Sequence, residues 1–380
     1  MRETGSALVV AASASSLARS LQRAGWTTFV IDGFGDLDTR EHCRDYRVVP
    51  LDRNGFDATV LRSAIDRMEP TDVALYGGGL DSLPGVIEHL ARGRILCGNA
   101  AETMRITKTP TLFFALLSGL DIPFPETRFE APRDVRGWLV KHGGSEGGGA
   151  INLPGEMGIS RPDRYFQRRL ETPPRSALFL ADGTVSRIVG FNTLWTSAAD
   201  PRRPFRFAGA INRTSLSESQ REAVRGIVAR LVPPLRLRGL NSLDFMTDED
   251  DGIRVLELNP RPSATVALYD DEFPSGLIEL HIRTCLEGLP DFALPPFPTR
   301  AFQIVYAPHD VEIPGTLEWP AWCRDRPGLG CRIPKGAPLC TITAEGMDES
   351  EVLSSLSARK TAVLRTMSTA GNRMAETQPT

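Results

Sequence analysis

The sequence predicts an α/β protein with α+β character in its later part. A parallel N-terminal layer is followed by a mixed central region and a small C-terminal β-domain. Three observations carry this. Strand-like and helix-like segments alternate over residues 1–95. A hairpin with period-two alternation spans residues 241–261, and short strands broken by Pro and Gly fill residues 301–345. The chain has 380 residues, the length of two or three domains with substantial cores. Its 44 Lys+Arg against 47 Asp+Glu leave a net charge of −3, which argues against a dedicated nucleic-acid binder. No apolar stretch approaches the roughly 18 residues that span a bilayer, so no membrane role is expected.

Ala7–Ala12 reads as a buried strand. Leu17, Leu21 and Ala24 then share one helix face, and Gly25 ends that helix. Thr27–Ile31 is a second strand closing on Asp32, and Asp72–Tyr76 is another that runs into Gly77-Gly78-Gly79. Strands alternating with helices imply parallel βαβ units, a Rossmann-like layer over residues 1–95. Met1–Ser16 imitates a signal peptide, but its apolar core Ala7–Ala12 is short and follows an acidic residue, so a cytoplasmic protein is expected. Asp32 stands where a dehydrogenase places its ribose-binding acid. The first βα turn, Ala12-Ser13-Ala14-Ser15-Ser16, has no glycine, however, and Asp32 reads better as a capping residue than as part of an NAD site.

Residues 96–290 mix helices with hairpins, and Ser217–Leu231 is an amphipathic helix with Ser217 as N-cap. The small β-domain of residues 291–345 opens with a Pro-rich linker over residues 291–300, and its strands follow over 301–345. Residues 346–367 read as a closing helix and 368–380 as a disordered tail. The six cysteines form no CxxC pair and the five histidines no metal pair, so neither a disulfide framework nor a zinc site is expected, and the cysteines are taken as structural.

The hairpin is the most informative stretch. Its arms are Asn241-Ser242-Leu243-Asp244-Phe245-Met246 and Arg254-Val255-Leu256-Glu257-Leu258-Asn259-Pro260-Arg261. With the turn centred between Asp250 and Asp251, Leu243 faces Leu258 and Phe245 faces Leu256 on a core side. Asp244 then faces Glu257 on the other side, with Ser242 opposite Asn259. Like charges directly opposed destabilise a pair. Two carboxylates and an amide oxygen on one face suit a hard cation such as Mg²⁺; the alternative is a solvated polar face. Arg261 projects beside them after Pro260 ends the strand, placed for an anionic group.

Trp138-Leu139-Val140-Lys141 reads as a strand that enters a loop with five glycines in residues 143–149. Such a loop can cover phosphates with backbone N–H groups while Lys141 reaches in, or be a plain surface loop. The lysine precedes the glycines, so this is not a P-loop. Lys108 by itself reads as a solvated helix residue. Arg202, Arg203, Arg206 and Arg213 surround Phe205 and Phe207, either as a solvated basic face or as a site for an acidic substrate.

In their order these pieces resemble the ATP-grasp superfamily of carboxylate–amine ligases over roughly residues 5–345. Glu257-Leu258-Asn259-Pro260-Arg261 with Asp244 upstream is the most specific element. Ile333-Pro334-Lys335-Gly336-Ala337-Pro338-Leu339-Cys340 is similar to the C-terminal domain of the purine-carboxylase and pyrrolysine-ligase branch. The resemblance implies an ATP-grasp domain over residues 96–290, with a lid subdomain at about 125–175. It implies that Lys108 and Lys141 contact phosphates, with Lys141 and Arg261 as the catalytic pair. Gly143, Gly144, Ser145, Gly147 and Gly148 would form the lid. Gln167, Arg168, Leu170 and Glu171 match the hinge whose backbone reads adenine. Asp244, Glu257 and Asn259 would hold Mg²⁺ or Mn²⁺. Pro173-Pro174-Arg175 occupies the place of the usual ribose-binding acid, which leaves Glu171 as the substitute.

The implied chemistry is ATP-dependent: a carboxylate is phosphorylated to an acyl phosphate, and an amine attacks it to give an amide. The partners are then a small carboxylate and a small amine, with Arg206 and Arg213 as candidate substrate contacts. The chain also resembles ATP-grasp proteins of one-carbon cofactor pathways, which suggests addition of glutamate in the synthesis of a one-carbon carrier. A carboxylase acting through carboxyphosphate, or a non-catalytic nucleotide-binding relative, are the rival readings. Homodimer is the default assembly.

Overall fold

Period-two and period-3.6 patterns resolve into four sheets and their covering helices among the described residues of a computed structural model, which describes residues 5–52, 55–144, 147–149, 151–154, 164–197 and 203–375, with side chains through 367. The first layer holds β1 (Ser6–Ala11), α1 (Ser15–Arg23), β2 (Thr27–Asp32), α2 (Leu37–Glu41), β3 (Asp45–Val48), α3 (Ala58–Asp66), β4 (Val73–Tyr76), α4 (Pro84–Leu90) and β5 (Ile95–Leu96). All its pairings are parallel, in the order β3-β2-β1-β4-β5. The run that imitates a signal peptide is the central strand. Ala7, Val9 and Ala11 pack on the α1 side while Leu8 and Val10 pack on the α3 and α4 side, which is why it reads as unbroken hydrophobic sequence. Asp32 caps, as expected: its carboxylate accepts from the N–H groups of Ala14, Phe34 and Gly35 at 2.8, 2.6 and 2.5 Å.

Two helices, α5 (Ala101–Lys108) and α6 (Pro110–Gly119), lead into a small sheet of β6 (Thr127–Arg128), β7 (Trp138–His142) and β8 (Arg164–Arg168), ordered β6-β8-β7. Next come β9 (Arg175–Asp182), β10 (Ser186–Thr196), β11 (Phe207–Ile211), α7 (Glu218–Leu235), β12 (Arg238–Thr247), β13 (Ile253–Asn259) and α8 (Gly276–Glu287). Ser217 caps α7 in a capping box with Gln220, and the helix runs on past Leu231 to Leu235. His281 of α8 ties two sheets together. Its Nδ1 accepts from Leu240 N–H at 2.7 Å, which leaves Nε2–H to donate to the Cys97 carbonyl at 3.1 Å.

The last elements are β14 (Thr299–Tyr306), β15 (Val311–Glu312), β16 (Cys323–Arg324), β17 (Arg332–Ile333), β18 (Pro338–Gly346) and α9 (Glu349–Ala375). In this segment, expected to form its own small domain, β14, β18 and β16 extend the central sheet, which runs β13-β12-β9-β10-β11-β14-β18-β16. Gly209 permits the join: a Cβ there would lie 2.3 Å from the Phe302 carbonyl oxygen and 2.6 Å from the Trp195 ring. α9 continues to Ala375, so the stretch expected as a disordered tail is helical that far. Ala370, Arg373, Met374 and Ala375 are good helix formers, with no proline before Pro379. Among the described residues no helix is long and apolar enough to cross a membrane.

Candidate active site

The acidic hairpin, β12–β13, pairs Ser242 with Asn259, Leu243 with Leu258 and Asp244 with Glu257, the register its alternation predicts. Beyond Asp244 the register shifts, and Phe245 opposes Val255 rather than Leu256. The cause is a β-bulge. Phe245 and Val255 are both fully buried, while the extra residue, Leu256, turns out of the core and lines the cleft. The expected pairing of Phe245 with Leu256 is thereby corrected.

Oxygen ligands gather on the other face. Asn259 Nδ2 donates to Asp244 Oδ2 at 3.2 Å and Ser242 Oγ to Oδ1 at 3.4 Å. Lys108, at the end of α5, is far from solvated. Its Nζ donates to Glu257 Oε1 at 2.5 Å and Asn259 Oδ1 at 2.7 Å, and it lies 2.9 Å from Asp81 Oδ2. Arg261 grips the same Asp81 with two bonds, Nε to Oδ1 at 2.6 Å and Nη2 to Oδ2 at 3.1 Å. Burial favours a neutral Asp81, but the Arg261 and Lys108 charges outweigh it and hold the carboxyl below its ordinary range. Burial likewise opposes the Lys108 charge, and Asp81 and Glu257 overcome it. Asp244 differs. Burial, then the Glu257 charge, push it up to about 7, as expected for two opposed carboxylates short of positive charge.

Among the described residues no three His, Cys, Asp or Glu side chains enclose a metal site. Two carboxylates and an amide oxygen do fit Mg²⁺, whose remaining positions go to phosphate oxygens and water.

Lys141 reaches the cleft from β7. Its Nζ donates to Gln167 Oε1 at 2.6 Å, and Gln167 Nε2 donates to Thr127 Oγ1 at 3.1 Å. Gln167 thus aims the lysine with its side chain, a role that the expectation of a backbone contact did not include. With a neutral partner, the buried Lys141 amine is pushed down to about 8, partly offset by Glu257 and Asp244.

In the glycine loop, Gly144, Gly147 and Gly148 have φ of 65°, 63° and 68°. The Gly147 carbonyl accepts from Phe207 N–H at 2.8 Å, and a Cβ on Gly148 would meet the Phe205 carbonyl oxygen at 2.0 Å, so this end of the loop closes on the chain entering β11. Gly143 packs on Pro110. Ser145 lies outside the described residues, as does Arg202 of the basic segment. Arg168, Leu170, Glu171 and the Pro173-Pro174 pair line a cleft of about 1140 Å³ that also holds Lys141, Asp244, Glu257, Asn259 and Arg261. Arg168 gives its Nη1 to the Arg136 carbonyl, and Glu171 pairs with Arg169 at 3.1 Å.

The two arginines expected to meet substrate do not line the cleft. Arg206 is buried with its guanidinium 3.5 Å over the Tyr306 ring and its Nη1 on the Gly336 carbonyl at 2.5 Å. Arg213 donates to the carbonyls of Asn212 and Phe297 beside a different cavity. Asp81 belongs to the site, and sequence reasoning missed it. It follows Gly77-Gly78-Gly79-Leu80 at the carboxyl end of β4, the edge where open parallel sheets hold ligands, which was the available signal. Asn99 was missed too; its amide holds the Pro260 carbonyl at 2.9 Å and so fixes the turn that delivers Arg261.

Residues 112–265 match the family model of the ATP-grasp domain. Among solved structures it is similar to N5-carboxyaminoimidazole ribonucleotide synthetase from Thermotoga maritima, at 13% identity and TM-score 0.68 over 94% of this chain and 98% of that one. It is similar to an L-amino acid ligase from Bacillus licheniformis, at 14% identity and TM-score 0.68 over 94% and 97%. It is similar also to biotin carboxylase from Campylobacter jejuni, at 12% identity and TM-score 0.70 over 93% and 90%. At these identities the likeness is one of fold. No curated protein sequence matches the chain.

Proposed function

We propose that this protein is an ATP- and Mg²⁺-dependent ligase that joins a carboxylate to an amine through an acyl phosphate. The observation that carries the reading is the convergence of Asp244, Glu257 and Asn259 with Lys141 and Arg261 at one cleft, with Lys108 buried behind them and bonded to Glu257 and Asn259. Phosphoryl transfer asks for positioning and charge neutralisation rather than a protein nucleophile, and this site offers those. Mg²⁺ held by Asp244, Glu257 and Asn259 would neutralise phosphate charge.

The chain's own groups do the rest. Lys141 and Lys108 hold the phosphates, with Lys108 exchanging Glu257 and Asn259 for phosphate oxygens. Gly143, Gly144, Gly147 and Gly148 close over them and exclude water. The backbone of Arg168–Glu171 holds the base, and Glu171 takes the ribose. Arg261, steadied by Asp81, faces the transferred group. A carboxylate oxygen attacks the γ-phosphorus as the bond to ADP breaks. The amine nitrogen then attacks the acyl carbon, phosphate leaves with the C–O bond pair, and the nitrogen loses a proton.

Addition of glutamate to a one-carbon carrier precursor is the finer reading and rests on sequence resemblance. A cytoplasmic homodimer belongs with it. The test is incubation with Mg-ATP, a carboxylate panel including glutamate, and hydroxylamine as the amine. A hydroxamate formed together with ADP supports the ligase. ADP formation that needs bicarbonate and gives no hydroxamate moves the assignment to a carboxylase. No ADP with any carboxylate or bicarbonate leaves a nucleotide-binding relative without turnover.

A further inference from the structure

A second cavity, of about 800 Å³, opens between β10, the middle of α7 and residues 294–297. It shares no lining residue with the catalytic cleft. Its floor is aromatic: Tyr269 meets Phe297 edge to face at 4.9 Å, and Phe191 lies alongside. The Tyr269 hydroxyl is committed to Asn192 Oδ1 at 2.7 Å and the Phe191 carbonyl at 3.2 Å, so the nearly buried Tyr269 and Phe191 make an apolar floor without a free donor, and Phe297 is its more accessible ring.

The walls are cationic. Arg213 donates to the carbonyls of Asn212 and Phe297 at 3.0 and 3.2 Å. Arg221 donates to the Leu216 carbonyl at 3.3 Å and Thr214 Oγ1 at 3.2 Å, with its guanidinium carbon 5.1 Å from the Phe191 ring. Every one of these acceptors is neutral, and among the described residues neither guanidinium has a carboxylate partner. The cavity's acid, Glu222, is engaged by Arg225 at 2.9 Å, and Arg187 is engaged by Asp291 at 3.1 Å. The unbalanced charge is therefore positive, set over an apolar floor.

The helix wall includes an exposed glycine. Gly226 sits inside α7, where glycine weakens a helix, and a Cβ there would meet nothing within 4 Å. A position with room for a side chain carries none.

We propose that this cavity is a second binding site, for a small organic anion with a ring or other apolar body. Its carboxylate or phosphate sits between Arg213 and Arg221, and its body lies on Phe191, Tyr269 and Phe297. Concave, mostly apolar surface with a few convergent charged groups is the ordinary form of a small-molecule site. Arginine pairs are suited to carboxylate and phosphate alike.

The test is calorimetry on the full chain with Mg-ATP in excess to occupy the cleft, using phenyl phosphate and then benzoate as probes. At least one probe is expected to bind the wild type. Its Kd should rise at least about tenfold in Arg221→Gln, through loss of a charge-assisted contact, and as much in Gly226→Phe, which fills the cavity from the helix. Thermal unfolding close to that of the wild type shows that the variants fold. Arg221→Lys, which keeps the charge, should fall between wild type and Arg221→Gln. Binding of neither probe, or a Kd indifferent to both Arg221→Gln and Gly226→Phe, overturns the proposal. Preference for phenyl phosphate or for benzoate tells a phosphate ligand from a carboxylate.

Discussion

The two ends of the cleft hold buried positive charge in opposite ways. At the hairpin end the cations are already balanced: Lys108 sits among Asp81, Glu257 and Asn259, and Arg261 is clamped by Asp81. At the lid end Lys141 has a neutral amide for a partner and a pKa brought down to about 8. The hairpin end is part of the architecture, since it joins the parallel layer to the central sheet through an ion network. The lid end has no such network: Lys141 feels the Glu257 and Asp244 charges only from a distance and bonds a neutral amide. The lesson is that lysines with the same expected role differ in whether they stabilise the empty protein.

The largest effect should come from breaking the balanced end. Asp81→Ala removes a buried carboxylate shared by two cations and should cost about 3–5 kcal/mol of unfolding free energy, measured by urea denaturation. Mg-ATP binding should be lost with it. Lys141→Met is the counterpart at the other end. It removes a poorly compensated buried amine, so stability at pH 7 should hold or rise while Mg-ATP affinity falls about tenfold or more. A stability loss in Lys141→Met as large as in Asp81→Ala would erase the distinction.

The pH dependence sharpens the comparison. The Lys141 amine lies at about 8 in the folded chain against an ordinary 10.5. Its charged form is disfavoured by folding, so the penalty is full below pH 8 and relieved as pH rises toward 10.5. Stability should gain over that window, and Lys141→Met should abolish the gain. For the same reason Mg-ATP binding just above pH 8 should take up a proton, seen as a buffer-dependent heat in calorimetry.

A smaller effect is expected in the lid. Gly148→Ala places a side chain at φ 68° against the Phe205 carbonyl, and should cost about 1–2 kcal/mol and loosen the loop. Affinity for Mg-ATP should drop less than in Lys141→Met.

Much of the site was legible because it lies in local pattern. The hairpin's alternation paired Asp244 with Glu257, although the turn is centred on Asp250 rather than between Asp250 and Asp251 and the bulge makes up the difference. The glycine loop and the β7 lysine stand side by side in sequence. The bulge at Leu256 was not legible, since it depends on Phe245 and Val255 both being drawn into the core. Asp81 carries no periodic signal, and its partner Arg261 is 180 residues away in the chain. The joining of β14 to β11 is likewise a long-range pairing that short, Pro-broken strands do not announce. Arg206 and Arg213 misled because a basic run looks the same whether it binds a substrate, clamps a carbonyl or lines another cavity.

The most direct test of the central claim is the metal dependence of ATP binding. Calorimetry would compare ATP with Mg²⁺, ATP with chelator, and NAD(H), on wild type and Glu257→Ala. The account predicts ATP binding that weakens on chelation and weakens again in the variant, with no NAD(H) binding. ATP binding indifferent to both metal and Glu257, or no ATP binding at all, would contradict it.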